Sequence, residues 1–252
     1  MSSDDFSIII PARLNSLRFK NKILFQILKL PMIEHVRRRA VLTNVNNSNI
    51  FVATSSKKII AVIKKSKGNL LITKKKHLNG TSRVSEVINK IKTAYTIILQ
   101  GDEPLFFPKD INMIIKKIIK EPNYDVYNTI STINKNQLLD ESIVKCRLNE
   151  KKEIIDLFRK TKQKKYNNIK KILGIIVFKT DFLKKYKKLK ESKNEKDFSI
   201  EQFKFLDNKI KIKSLYLKNN SQSVNYYSDL EKVINEYKIN KNQKIIYNRI
   251  IN

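Results

Sequence analysis

The chain has 252 residues, is 41% hydrophobic and carries a formal net charge of +30, from 53 Lys and Arg against 23 Asp and Glu. That length and apolar content can bury a full core, so we expect one large α/β domain, or one domain with a small lobe, and not a fragment. A lone cysteine, Cys146, excludes an intramolecular disulfide, and with only His35 and His77 beside it a Cys/His zinc site is excluded too.

The opening residues 1–6 are acidic and lead into an apolar run ended by Pro11 and Arg13, so no signal peptide is expected. No apolar segment reaches 18 residues, which points to a soluble, cytoplasmic protein with no membrane partner. Nine of the basic residues are Arg and 44 are Lys, spread over nearly every segment. Nucleic-acid binders cluster their cations and favour Arg, so the charge is read as a solvated surface without a specific nucleic-acid partner. The field should still help recruit an acidic, phosphorylated substrate.

In chain order, residues 6–10 form a short apolar run of the kind buried in a parallel sheet, and Pro11 ends it. The loop after it brings Arg13, Arg18, Lys20 and Lys22 within ten residues, enough charged donors to surround a polyphosphate. It lacks the Gly-x-x-x-x-Gly-Lys pattern of a P-loop. Met32, Ile33, Val36, Ala40 and Val41, spaced behind Pro31, predict a helix over 31–42 with Arg37, Arg38 and Arg39 on its wet face. A strand is expected over 49–54, a helix over 57–67 with Gly68 beyond its end, and a strand over 70–73. Residues 77–83 then turn into a helix over Val84, Val87 and Ile88, and backbone amides there can read a polar base edge.

The stretch 95–105 organises the rest. Tyr95, Thr96, Ile97, Ile98 and Leu99 read as a buried strand that stops at Gln100-Gly101-Asp102-Glu103-Pro104. In open α/β sheets ligands bind at the strands' carboxyl ends, so Asp102 would face a cleft, where a carboxylate suits Mg²⁺. The alternative is that Asp102 and Glu103 only decorate a tight turn. Further on, a helix is expected over 109–120, strands over 127–133, 142–148, 154–158 and 172–178, and helices over 180–189 and 199–206. A strand over 209–216 and a helix capped by Ser228 follow, and the Lys-rich tail beyond Asn240 should fray. Strands alternating with helices imply a mostly parallel, doubly wound sheet, with no repeat and no linker.

Several blocks form strings: Ile10-Pro11-Ala12-Arg13 with Ser16, Arg18 and Lys22; Lys29-Leu30-Pro31-Met32-Ile33 with His35-Val36; His77 with Gly80-Thr81 and Arg83; Gln100 to Pro104; Leu173-Gly174-Ile175; and Glu201-Gln202. In this order they resemble the 3-deoxy-manno-octulosonate (Kdo) cytidylyltransferase family. Three of the four glycines and three of the five prolines fall inside them, which random drift toward Lys, Ile and Asn would not arrange.

The resemblance implies a Rossmann-like nucleotide-diphospho-sugar transferase fold in one domain over 1–240, with a nucleotide half at about 1–125, a sugar-binding and dimer-forming half at about 126–240, and a polar tail at 241–252. It implies transfer of CMP from CTP to the anomeric hydroxyl of an acidic eight-carbon keto-sugar, for lipopolysaccharide synthesis, by a Mg²⁺-dependent homodimer. Asp102, Lys22 and Arg13 would be catalytic. CTP would meet Pro11, Ala12, Arg13, Ser16, Lys22, Asn79, Gly80, Thr81 and Gln100, and the sugar would meet Gln100, Arg159 and Glu201. Asp102 and Asn225 would hold the metal.

The chain departs from the family pattern mainly on the sugar side. Val-Asp-Thr becomes Val224-Asn225-Tyr226, which loses a charge that Asp229 could restore, and His-Leu-Gly-Ile-Tyr becomes Ile172-Leu173-Gly174-Ile175-Ile176. Phe-Ser-Arg appears as Phe158-Arg159-Lys160, a family Glu as Phe198, and a phosphate-loop Gly as Asn21, which tolerates left-handed angles. The alternatives left open are a different ulosonic or nonulosonic acid as acceptor, or a non-catalytic binder of CTP or a polyanion. His77 is read as orienting its loop, with no partner carboxylate in view, and Cys146 as a buried small hydrophobe. Ser16 is read as a turn residue, and Lys145 as evenly balanced between a surface and a site role.

Overall fold

The apolar runs at 6–10 and 95–99 become neighbouring strands at the centre of a nine-stranded sheet. The structure is a computed structural model and describes residues 1–14, 19–74, 76–161, 168–218 and 223–251. Its strands are β1 (Phe6–Pro11), β2 (Gln26–Ile27), β3 (Leu30–Pro31), β4 (Ile50–Thr54), β5 (Asn69–Ile72), β6 (Tyr95–Leu99), β7 (Val126–Ser131), β8 (Lys145–Leu148), β9 (Ile154–Phe158), β10 (Ile169–Lys179) and β11 (Ile212–Tyr216). Its helices are α1 (Met32–Val41), α2 (Lys57–Lys65), α3 (Gly80–Val87), α4 (Pro108–Lys120), α5 (Lys135–Leu139), α6 (Thr180–Lys184), α7 (Lys193–Phe198), α8 (Phe203–Asp207), α9 (Asp229–Ile239) and α10 (Lys241–Ile251).

The sheet order is β11-β7-β10-β6-β1-β4-β5, with β8 on β10 and β9 on β8, while β2 and β3 form a separate hairpin. β1 pairs in parallel with β4 and β6, β4 with β5, and β7 with β11. β10 runs antiparallel to β6, β7 and β8, so the sheet is mostly parallel with one long reversed strand inserted. The chain builds outward from β1 through β4 and β5, then crosses back to place β6 on β1's other side. That reversal opens a crevice at the carboxyl ends of β1 and β6, which is where such sheets bind ligands.

Alternate residues of the central strands face opposite layers. Ile8, Ile10, Ile97 and Leu99 pack with Val36 of α1, Ile63 of α2 and Ile114 of α4. Ile9 and Ile98 pack with Val84 of α3, Leu183 of α6 and Phe205 of α8. Each fully buried Ile contributes about 1.5–3 kcal/mol, and truncating one such as Ile98 to Ala would cost about 2–5 kcal/mol. No helix among the described residues is long and apolar enough to cross a membrane.

Three expectations change. Arg39 is on no wet face: it is fully buried, because α1 packs against the sheet on one side and α9 and α10 on another. Its neighbours Arg37 and Arg38 instead clasp Glu34 at 2.7 and 3.0 Å; burial works to raise that carboxyl's pKa, but the two guanidiniums outweigh it and hold it below the ordinary value. The helix expected over 199–206 forms only from 203, as α8, and an unexpected helix, α7, precedes it and ends at Ser199, whose φ of 51° is left-handed. The segment at 241–251 does not fray but forms α10, which buries Gln243 and Ile250 against α1 and α9. Ser16 and Arg18 lie outside the described residues.

Candidate active site

At the carboxyl end of β1 the chain passes Pro11 and buried Ala12, and Arg13 emerges into a cleft of about 800 Å³. The neighbouring end of β6 delivers Gln100 and Asp102 to the same cleft. A register shift in β10 between Ile172 and Ile176 lets Gly174 approach this turn, its carbonyl accepting the Gln100 N–H at 3.0 Å. A Cβ at position 174 would sit 2.6 Å from Glu103 Oε1, so a side chain there would force Glu103 to move, and bulges commonly re-aim strands beside active sites. A Cβ at position 80 would likewise lie 3.0 Å from both Gln100 Nε2 and Pro11 Cγ.

Asp102 is paired. Lys22 Nζ donates to Asp102 Oδ2 at 2.6 Å and to the Val224 carbonyl at 2.7 Å, while the Val224 N–H donates to the Asp102 carbonyl at 2.9 Å. Asn21 holds a left-handed φ of 57° just before Lys22, the conformation that made Asn an acceptable stand-in for Gly. Three segments far apart in sequence therefore meet at one ammonium and one carboxylate, with 9% of the lysine side chain and 27% of the aspartate exposed. Asn225 follows directly and lines the cleft, its Nδ2 donating to Ser223 Oγ at 3.4 Å. Asp229 caps the same turn, its Oδ2 accepting the N–H groups of Asn225 and Tyr226, both at 2.9 Å.

Beside Gln100, Asn79 caps α3: its side chain accepts the Ser82 N–H at 2.8 Å and donates to Glu195 Oε1 at 2.5 Å. The Thr81 N–H reaches Glu201 Oε2 at 3.4 Å. Burial raises the pKa of both carboxyls, against the pull of Lys204 and Asn79 on Glu195 and of the Thr81 hydrogen bonds on Glu201. His77 does have a carboxylate partner, Glu86 at 2.6 Å, which sequence spacing hid. Glu86 also takes the Lys74 N–H at 2.8 Å, so the pair ties the loop before α3 and the imidazole orients it. Burial holds the His77 pKa below its ordinary value despite Glu86.

The far wall is built from α5, β10 and the loop around Ser199. Arg159 lines the cleft, but its guanidinium donates to the carbonyls of Glu141, Ser142, Phe198 and Ser199 at 2.9–3.1 Å, so it staples two wall segments together. Lys145 is fully buried and donates to the Asp140 and Arg159 carbonyls, both at 2.6 Å, a framework role and not a surface one. Ile172 and Ile176 present apolar surface to the cleft. Lys171 joins them, buried near Glu103; burial lowers its ammonium pKa and Glu103 opposes that. Cys146 lies in the core, its thiol pushed up to about 12 by burial.

The donor set suits a hard divalent ion that keeps waters and takes substrate phosphates: one carboxylate from Asp102 and the amide oxygen of Asn225. Among the described residues no group of three or more His, Cys, Asp or Glu forms a self-sufficient metal cage. Any metal here would be completed by substrate.

The family model described as cytidylyltransferase matches residues 7–213. The 3-deoxy-manno-octulosonate cytidylyltransferase of Fusobacterium nucleatum is 34% identical over 241 residues, covering 92% of this chain and 96% of that protein. The Escherichia coli enzyme of the same name is 30% identical, covering 90% and 93%. The chain belongs to the 3-deoxy-manno-octulosonate cytidylyltransferase family. A solved CMP:2-keto-3-deoxy-manno-octonic acid synthetase complexed with CTP superimposes with a TM-score of 0.84 at 28% identity, covering 92% of this chain and 98% of that one.

For this cytidylyltransferase, the structure gathers Arg13, Asn79, Gly80, Gln100, Asp102, Arg159, Glu201 and Asn225 around one cleft. Pro11, Ala12, Lys22 and Thr81 stand directly behind that surface. Sequence reasoning missed Glu195, Lys171 and Asp140. Glu195 sits on α7 and Glu201 in the turn before α8, so no periodicity links them, and Lys171 is hidden by the composition.

Proposed function

We propose that the chain transfers CMP from CTP to the anomeric hydroxyl of 3-deoxy-manno-octulosonate: a bond forms from the sugar oxygen to the α-phosphorus, the bond to the β-phosphate bridging oxygen breaks, and pyrophosphate leaves. The observation that carries this reading is the Lys22 ammonium bridging Asp102 and Val224 directly behind the cleft surface that Asp102 lines. Asp102 and Asn225 would hold Mg²⁺, which when bound neutralises phosphate oxygens and acidifies the attacking hydroxyl. Lys22 would exchange Asp102 for the triphosphate as substrate arrives and, with Arg13, stabilise the charge on the leaving pyrophosphate. By sequence, Ser16 would join Arg13 and Lys22 in binding the triphosphate. The Pro11-Ala12 backbone and the Asn79-Gly80-Thr81 turn would read cytosine, and Gln100 would stand between base and sugar. Glu201 would meet sugar hydroxyls, and Arg159 would shape the sugar wall. The protein supplies position and charge, since nucleophile and leaving group both come from substrates. We also read the protein as a cytoplasmic homodimer.

A second reading keeps CTP and changes the acceptor to another ulosonic or nonulosonic acid, favoured by the apolar Ile172 and Ile176 on the cleft wall. Incubating the full chain with CTP, Mg²⁺ and each acid in turn, with the CMP-linked product identified by mass, separates the two. Turnover of 3-deoxy-manno-octulosonate supports the first reading. Turnover of another acid with that sugar inert supports the second, and no product with any acid overturns both.

A further inference from the structure

Three consecutive carbonyls just after the acid-bearing turn are held from outside it. Pro104 accepts from the Tyr237 hydroxyl at 3.2 Å, Leu105 from Gln243 Nε2 at 2.7 Å, and Phe106 from Arg39 Nη1 at 2.9 Å. All three donors are buried: Arg39 is 0% exposed, Gln243 2% and Tyr237 4%. They are also joined to one another, since Arg39 Nη2 donates to Gln243 Oε1 at 2.7 Å and to the Tyr237 hydroxyl at 3.2 Å.

The network continues to the β2–β3 hairpin that follows the cationic loop. The Tyr237 hydroxyl meets His35 Nδ1 at 2.9 Å, and His35 Nε2 meets the Ile27 carbonyl at 2.7 Å. Burial, helped by the Arg39 charge, holds the imidazole pKa at about 4, so the ring is neutral. With Nε2 facing a carbonyl, that nitrogen carries the proton and Nδ1 accepts. Tyr237 therefore divides its one proton between His35 and Pro104. One end of the chain of bonds is five residues beyond Lys22, and the other two residues beyond Asp102. A buried guanidinium is a poor choice for stability alone, because an apolar residue of similar volume would hold the helices as well or better. Tyr237 and Gln243, moreover, lie beyond the residues matched by the family model.

We propose that Arg39, Tyr237 and Gln243 are positioning residues: a strap by which α9 and α10 set the 102–106 turn, and with it Asp102, against Lys22. This rests on the reaction read above. None of the three touches substrate; each acts through the turn. Without the strap the turn gains freedom in the direction along which Asp102 must face the triphosphate.

Tyr237→Phe and Gln243→Met keep volume while removing one donor each. Assayed by pyrophosphate release in the full chain, each should lower kcat by about 5- to 20-fold with KM for the sugar within about twofold, the size expected of one lost hydrogen bond expressed at the transition state. The Mg²⁺ concentration giving half-maximal rate should rise. The double variant should lose less than the product of the single losses, because both act on one turn. Hydrogen exchange of the peptide spanning 102–108 should quicken in both variants. Exchange reads the strap even if wild-type chain turns over no acceptor, a result that would count against the proposed reaction alone. Variants whose kcat and Mg²⁺ requirement match wild type, with exchange at 102–108 unchanged and only the melting temperature lowered, would overturn the proposal.

Discussion

The two sides of the cleft are held by different means. On the side proposed for the nucleotide, Pro11 to Arg13 and Gln100 to Asp102 are the immediate continuations of β1 and β6, strands with no exposed residue, so their positions follow from the core. On the side proposed for the acceptor, the wall joins β10 to short segments fixed by side-chain ties, the Arg159 staple, the Lys145 bridge and the Asn79–Glu195 contact. Phe198, 51% exposed, can replace a polar group with no cost to the layers beneath, whereas Ile176, buried on β10 opposite Ile98, belongs to the core as well as to the cleft wall.

That contrast can be broken or sharpened. The largest effect should come from Asp102→Ala, which removes the carboxylate at the β6 tip and should lower pyrophosphate release by about 10³-fold or more, while thermal melting shows a folded chain. Lys22→Met should cost about 10²-fold in kcat, since its charge is needed on the leaving group; a change confined to KM would place Lys22 in ground-state binding only. Ile172→His with Ile176→Tyr should raise kcat/KM for 3-deoxy-manno-octulosonate by about tenfold and leave KM for CTP unmoved. Movement of the CTP constant would show that the halves are not separable. Asn225→Asp should lower the Mg²⁺ needed for half-maximal rate several-fold, as a second charge joins the metal site, about 1 kcal/mol in effect.

The smallest effect concerns stability, away from both halves. The folded-state pKa of His35, about 4, lies below its ordinary 6.5, so as pH falls through 6.5 the unfolded chain takes up a proton that the folded chain refuses. Stability contributed by the neutral ring is complete above 6.5 and is lost progressively down to about 4. Urea midpoints measured across that window should fall with pH in the wild type and flatten in His35→Gln.

How much was legible follows the same division. Strands β1 and β6, the acid at the β6 tip and the cationic loop could be read because unbroken apolar runs and their terminators are local signals. Asn21 was read correctly as a left-handed residue. Arg39 was misread because periodicity gives a helix two faces, and α1 is covered on a third by α10, whose own sequence looks polar. Helix α7 escaped because its sequence, Lys193 to Phe198, carries a single apolar residue, and Ser199's positive φ leaves no mark in the sequence, so Glu195 was assigned no role. The Glu86 partner of His77 was invisible since the pairing spans a loop and a helix.

The most direct test of the account is nucleotide selectivity, because the strings that resemble the family most fully lie on the side proposed for the nucleotide. Pyrophosphate release should be measured with each of the four ribonucleoside triphosphates at fixed Mg²⁺ and acceptor. The account predicts that CTP exceeds the others in kcat/KM by at least about 10²-fold, through polar edges read by the 79–81 turn and the β1 tip. Equal turnover of UTP, or release that persists undiminished in Asp102→Ala, would contradict it.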